Sequence, residues 1–194
     1  PYPPGPRYVD ANSKNPLGNY LGQTHVDGGA TNAGYSNQTH LSDGTSVVVY
    51  HRTAGTPIWN TALTIDSALW SGSFNRHWDL PDYVVPSSSE MPGQWPRAEV
   101  SHDSSGRDYM HIVMKSPSWC IVGSVLGYER CYLGTGDTLI CQSYVNGATA
   151  TYKIPKGAYA SGPFFPISAF DSTCGGDPVV VASPVSERVA VAFL

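Results

Sequence analysis

The stretch at residues 106–144, GRDYMHIVMKSPSWCIVGSVLGYERCYLGTGDTLICQSY, holds three strand-like runs in succession. Residues 109–115 are mostly apolar, residues 124–132 alternate apolar and polar side chains, and residues 138–144 follow the turn-rich connector GTGD. Runs of this kind, separated by Gly-rich turns, are typical of antiparallel strands. The stretch therefore predicts most of one four-stranded antiparallel unit.

Three of the four cysteines lie in this stretch, and two of them predict a disulfide. Cys131 and Cys141 are symmetric about Gly136. A hairpin centred on that glycine places them on directly opposed strand positions, with Cβ atoms about 4.5–5.5 Å apart. Four cysteines without a C-x-x-C pair favour two disulfides over a zinc site. The second disulfide would then join Cys120 to Cys174.

The composition of the chain predicts an ordered all-β protein. Its 194 residues are 41% hydrophobic and 13% charged, which is typical of a folded domain. Twenty Gly, sixteen Pro and twelve Tyr favour many short strands joined by tight turns. Low Lys content, many polar and aromatic residues and the paired cysteines together favour an extracellular or cell-surface location.

Several classes of partner are excluded by charge and hydropathy. The formal charge is −4 and the basic residues are scattered, so we expect no nucleic-acid partner, because such a partner needs a basic face. No run approaches the roughly 18 apolar residues of a membrane span. No P-loop, dinucleotide or metalloprotease motif occurs, and we expect no cofactor.

A strand, a polar turn and an apolar strand recur in the same order along the chain. Residues 1–34 predict a Pro/Gly-rich arm with loops and one short strand near residues 23–26. After this arm, we predict units at residues 35–96 and 97–177 and an incomplete unit at residues 178–194. Radial repetition of four-stranded antiparallel sheets predicts part of a β-propeller. A β-sandwich or jelly roll is the alternative, since it also contains strand-turn-strand units.

The third unit stops inside its apolar strand at Leu194. A closed propeller needs about four blades or more. We therefore expect that a further polypeptide or the remaining blades complete the fold, or alternatively that the fold is not a propeller.

The order of strand types resembles the sialidase-like or BNR-repeat β-propellers. The resemblance rests on HIVM at residues 111–114, YER at 128–130 and GDT at 136–138, and it covers residues 35–194. The family's Asp-box, S-x-D-x-G-x-T-W, is not intact in this chain. The resemblance implies a glycoside hydrolase with an Arg triad and a Tyr nucleophile. No arginine here lies in the sequence context of the first family arginine, so no catalytic residue is assigned.

The strongest ligand-like group lies in four consecutive residues. Arg76, His77, Trp78 and Asp79 combine a stacking ring with hydrogen-bond donors and an acceptor, which suits a sugar ligand. Aromatic side chains also fill cores between sheets, and that interpretation remains open.

Two histidines occupy matching positions in the first two units. His40 and His102 each lie four residues before a turn glycine, Gly44 or Gly106. They are candidates for lining a pocket, or alternatively for a repeated structural hydrogen bond.

His25 and Asp27 share a strand face at i and i+2, which could serve a metal ion or an acid/base pair. The competing interpretation is a loop histidine hydrogen-bonded beside a turn aspartate.

These patterns favour a non-catalytic recognition or structural module that binds glycan or protein within a larger assembly. The motivation is the repeat, the paired cysteines and the lack of a complete catalytic set. The alternatives are a sialidase-like glycosidase fragment and a virion or filament subunit.

Overall fold

Almost every residue that the structure describes lies in a β-strand or in a turn between two strands. The computed structural model describes residues 10–14, 20–25, 32–53, 59–80, 94–115, 124–145, 148–157, 166–171, 178–183 and 189–193. All of the strand pairs in these ranges are antiparallel. The prediction of an all-β chain is therefore confirmed.

The first sheet is a four-stranded meander in which each strand pairs with the next along the chain. Its strands are β3 (Asn32–His40), β4 (Ser46–Thr53), β5 (Trp59–Ile65) and β6 (Arg76–Asp79). The centre of β4, VVVY, is β-branched and aromatic, the composition that suits a strand buried on both faces. An antiparallel hairpin precedes this sheet, formed by β1 (Asp10–Lys14) and β2 (Tyr20–His25).

The second sheet continues the same meander through five strands and adds a sixth. Its strands are β7 (Gln94–His102), β8 (Asp108–Lys115), β9 (Ser124–Leu133), β10 (Leu139–Val145), β11 (Ala148–Ile154) and β12 (Pro166–Asp171), the last paired with β9. A separate hairpin follows, formed by β13 (Pro178–Ala182) and β14 (Val189–Phe193).

The predicted hairpin register and disulfide are both confirmed. Cys131 on β9 is the register partner of Cys141 on β10, and their Cα atoms are 4.1 Å apart. The two sulfur atoms are bonded at 2.09 Å, and both side chains are fully buried. The pairing of Cys120 with Cys174 lies outside the described residues.

The two sheets share one apolar core. Alternation along the strands directs one face of each sheet towards the other sheet. The first sheet contributes Val47, Val49, Leu63, Ile65, Trp78 and Leu80, and the second contributes Ala98, Met110, Ile112, Cys131, Leu139, Cys141 and Ile154. At one edge of this core, Asn37 Oδ1 accepts a 2.8 Å hydrogen bond from the Ala98 backbone N–H.

The repeated turn of the first two units has the same backbone geometry in both copies. Gly44 N–H donates to Leu41 O at 2.9 Å, and Gly106 N–H donates to Asp103 O at 3.0 Å. Both glycines have left-handed φ angles, 88° and 80°, which residues with a Cβ rarely adopt. Each turn connects two strands that start and end at matching positions, so the predicted strand-turn-strand repeat is present here.

One segment differs from the prediction. The region predicted to hold loops and one short strand near residues 23–26 contains the β1–β2 hairpin. Between β5 and β6 the chain forms a loop, because the Asp66 carboxylate accepts the Gly72 and Ser73 backbone N–H groups at 3.1 Å each. Strands β11 and β12 lie in the second predicted unit, after its hairpin.

The same packing relation between neighbouring units occurs twice. Strands β3 and β4 lie against β7, and strands β7 and β8 lie against β13. Each unit therefore places its first strand against the first two strands of the preceding unit. Within the ranges described, the sheets are open, and none closes on itself.

Candidate functional site

Strand β6 carries all four residues of the predicted ligand-binding group. Alternation along the strand places Arg76 and Trp78 on the face towards the second sheet, and His77 and Asp79 on the opposite face. His77 Nε2 lies 3.3 Å from Asp79 Oδ1. The four residues therefore form two pairs on opposite sides of the sheet rather than one surface.

The Trp78 ring belongs to the core. It is 0% exposed, and its Nε1–H donates a 3.0 Å hydrogen bond to the backbone O of Asp137 in the turn between β9 and β10. A ring that is fully covered cannot stack on a sugar. The burial agrees with the alternative interpretation, an aromatic side chain that fills the core between sheets, and the residue joins the two sheets. Ligand binding by this group stays a prediction.

Arg76 has the same joining role at the rim of the core. Its Nε–H donates to Asp66 O at 3.0 Å, and its Nη2 donates to the same oxygen. Its Nη1 lies 3.9 Å from Asp137 Oδ1, while Lys156 Nζ lies 3.2 Å from Asp137 Oδ2. The Asp137 carboxylate thus lies between two cations, one from each sheet.

His40 and His102 occupy equivalent places, as the repeat predicts. Each is the last residue of the first strand of its unit, each is exposed, and each is followed by the repeated five-residue turn. Their role in ligand binding stays a prediction.

The predicted His25 and Asp27 pair is only partly described. His25 is the last residue of β2, but its side chain and Asp27 lie outside the described residues. Elsewhere in the described strands, Glu129, Cys131 and Cys141 bring three potential metal ligands together. The two sulfurs form the disulfide, so this group offers no thiolate to a metal.

A buried hydrogen-bonded chain on the second sheet was not predicted. His111 Nε2 lies 2.7 Å from Ser101 Oγ, and His111 Nδ1 lies 2.7 Å from the Tyr128 hydroxyl. The His111 side chain is 0% exposed, and its ring stacks on that of Tyr128 with centroids 6.0 Å apart. The sequence signal was present, because His111 is the one polar residue in the run MHIVM.

Burial keeps His111 neutral at physiological pH. Desolvation, reinforced by the positive charge of Arg130 on the neighbouring strand, lowers the pKa of His111 from 6.5 to about 4. A neutral imidazole has one donor and one acceptor nitrogen, and hydroxyl groups can supply the complementary partners on both sides. The chain Ser101–His111–Tyr128 is therefore fully satisfied in the neutral state.

We expect this pKa to make the fold sensitive to acid. The unfolded chain protonates His111 near pH 6.5 and the folded chain only near pH 4, so this contribution is complete above pH 6.5 and disappears as the pH falls to 4. The amount is about 3 kcal/mol at most. Urea unfolding of the native chain and of His111→Gln, compared from pH 7 to pH 4, measures it.

His111→Gln keeps one donor and one acceptor without a titrating group. The difference in unfolding free energy between native chain and variant should therefore become smaller as the pH falls. The matched control is His40→Gln at an exposed strand end, which should follow the native curve. A constant difference between native chain and His111→Gln over this pH range would contradict the assignment.

The outward face of the second sheet carries an ordered group of cations and aromatic rings, which we call the cation–aromatic face. It comprises Arg107, Tyr109, Arg130, Tyr132, Gln142 and Lys153. The Arg107 guanidinium lies 4.8 Å from the Tyr132 ring centroid, and that of Arg130 lies 4.7 Å from the Tyr109 centroid. The two tyrosine rings meet edge to face at 5.5 Å.

Two hydrogen bonds fix the Arg130 guanidinium within this face. Arg130 Nε and Nη2 both donate to Gln142 Oε1, at 3.1 Å and 2.6 Å. The tyrosines Tyr109 and Tyr132 raise the pKa of Arg107, and Asp103 adds to that effect. The arrangement supplies fixed positive charge next to hydroxyl and amide groups, which suits an anionic, hydroxyl-bearing ligand.

Comparisons of the chain with models of protein families, with curated proteins and with solved structures gave no match. In the described part of the chain, no helix has the length and apolar character needed to cross a membrane.

Proposed function

We propose that this chain is part of a β-propeller-type recognition module that binds glycan or protein within a larger assembly. The observation that carries the proposal is the packing relation that occurs twice, β7 against β3 and β4, then β13 against β7 and β8. Radial repetition of this kind generates a propeller when further units follow. A simple two-sheet sandwich gives no reason for a third unit to repeat the relation.

The third unit supports the assembly part of the proposal. Val180 on β13 is buried, whereas Val179 and Val181 on the other face are 38% and 59% exposed. In the first unit the face that carries Val47 and Val49 is covered by the second sheet. The exposed face of β13 is therefore suited to cover by a further repeat unit, from this polypeptide or from another.

The disulfide supports an extracellular or cell-surface location for this module, since such bonds persist in oxidising compartments. The exposed apolar face at Val181 equally favours the second candidate function, a subunit of a virion or filament.

A glycan array and a pull-down from a cell-surface extract test the recognition function. We expect specific retention in at least one of them and no release of fluorophore from a panel of aryl glycosides. Hydrolysis of the glycosides with no retention in either binding assay would instead support the sialidase-like glycosidase. Sedimentation of the chain over a range of concentrations separates the module from a filament subunit, which should form higher oligomers.

A further inference from the structure

The cation–aromatic face differs in chemistry from the position that corresponds to it in the first sheet. There, the side chains of β5 and β6 that face the next sheet include the apolar Leu63, Ile65 and Trp78, and Arg76 lies at the rim of this core. In the second sheet, the side chains of β9 and β10 that point away from the first sheet include Arg130, Tyr132 and Gln142, all half-buried. This part of the second sheet is therefore not built as an apolar core between sheets.

Three cations lie on this face, Arg107, Arg130 and Lys153. Arg107 and Lys153 are exposed at two margins of the face, with Arg130 between them. No carboxylate occurs among the described side chains on this face of β9, β10 and β11, where Ile140 and Thr151 complete the surface. The chain as a whole has a net charge of −4, so the face is a local reversal of sign.

The acidic side chains nearest to this face, Asp103 and Glu99, lie at its β7 end, and the Asp103 carboxylate offsets part of the charge of Arg107. The Asp103 carboxylate accepts hydrogen bonds from Ser105, from the Arg107 backbone N–H and from the Tyr109 hydroxyl. These bonds lower the pKa of Asp103 to about 2, with the Ser105 hydroxyl as the largest cause. Glu99 lies on the same face as the cations, opposite His111, which in turn lies opposite Arg130, and it is four strands from Lys153 on β11.

We propose that the cation–aromatic face binds an acidic polysaccharide, a linear carbohydrate that carries several carboxylate or sulfate groups. The inference rests on the proposed function and names the ligand class for it. Adjacent strands are about 4.8 Å apart, so cations on β9 and β11 present charges roughly 10 Å from each other along one direction. Several anionic groups on one polymer can therefore be bound at the same time.

The groups between the cations favour a carbohydrate over an acidic peptide. Tyr132, Gln142 and Thr151 offer hydroxyl and amide groups, which match the hydroxyl groups between the charges of a polysaccharide. Among the described side chains on this face of β9, β10 and β11, the one aliphatic group is Ile140, which is half-buried and leaves little surface for the aliphatic side chains of a peptide.

The experiment measures binding of the full chain to immobilised heparin, with polygalacturonate and poly-glutamate as parallel surfaces, at low and moderate salt. The variant Arg107→Ala/Lys153→Ala removes two exposed cations of the face. Each cation near an anionic surface typically contributes about fivefold in affinity, so we expect the double variant to bind about 25-fold more weakly. Higher salt should weaken native binding and reduce the difference.

The matched control is Lys156→Ala, which removes an exposed lysine outside the face. It should change the affinity by less than about twofold, and thermal unfolding should show all variants folded. Arg107→Lys separates charge from shape, because lysine keeps the charge but loses the planar guanidinium that lies over Tyr132.

The polymer surfaces distinguish the chemical sources of the anion. Binding to heparin alone indicates sulfate, and binding to polygalacturonate as well indicates carboxylate. An equal loss of affinity in Lys156→Ala, tighter binding to poly-glutamate than to both polysaccharides, or no native binding to any surface overturns the proposal. If the double variant keeps full retention on the glycan array, the recognition function stands and this assignment of its site fails.

Discussion

Replacing Trp78 with Ala is expected to lower the free energy of unfolding by about 3–5 kcal/mol. The ring is fully buried in the core between the two sheets, and its removal leaves a cavity that neighbouring side chains cannot fill completely. The indole N–H to Asp137 O hydrogen bond, 3.0 Å long, is lost as well. Chemical denaturation followed by circular dichroism measures the change.

Trp78→Phe separates the two contributions. Phenylalanine keeps most of the apolar ring but cannot donate to the Asp137 carbonyl, so we expect a smaller loss of about 1–2 kcal/mol. Val181→Ala is the matched control on an exposed apolar side chain, with an expected loss below about 1 kcal/mol. If Trp78→Ala left stability unchanged and abolished glycan binding, the ring would be a ligand platform, as the sequence first indicated.

Short sequence patterns predicted correctly those features whose determining contacts join residues close together in the chain. The symmetry of Cys131 and Cys141 about Gly136 determined one hairpin register, because antiparallel pairing around a turn fixes which residues are opposed. The turn glycines Gly44 and Gly106 marked two matching strand ends, because only a left-handed φ closes these turns. In both cases the determining contacts lie within about ten residues.

The four residues of the ligand-like group on β6 are neighbours in the chain but do not share one face of the sheet. Alternation in a strand separates Arg76 and Trp78 from His77 and Asp79, and this could have been inferred once the segment was predicted as a strand. The partner of Trp78, Asp137, lies 59 residues further on. No short-range pattern predicts that contact.

The buried hydrogen-bonded chain and the number of strands also could not be predicted from short sequence patterns. The Ser101–His111–Tyr128 chain spans three strands, and the register of all three is needed before the side chains can be placed together. Strand β11, ATATYKI, contains the strand-favouring residues Thr, Tyr and Ile, but it lies in a Gly- and Pro-rich part of the chain. Its pairing with β10 therefore shows a strand that the surrounding composition does not indicate.

Removing the Cys131–Cys141 disulfide is expected to lower the free energy of unfolding by about 3 kcal/mol, because the cross-link limits the conformations of the unfolded chain over a short loop. The test compares equilibrium denaturation of the native chain and of Cys131→Ala/Cys141→Ala, each with and without reductant. In the double variant, any remaining effect of reductant reports on Cys120 and Cys174, so the difference between the two proteins isolates this bond. Both sulfurs are fully buried, so reduction should require unfolding, and its rate should rise through the denaturation midpoint as the unfolded fraction grows. Equal stability of the two proteins without reductant would mean that strand pairing alone, and not the covalent bond, maintains the β9–β10 hairpin.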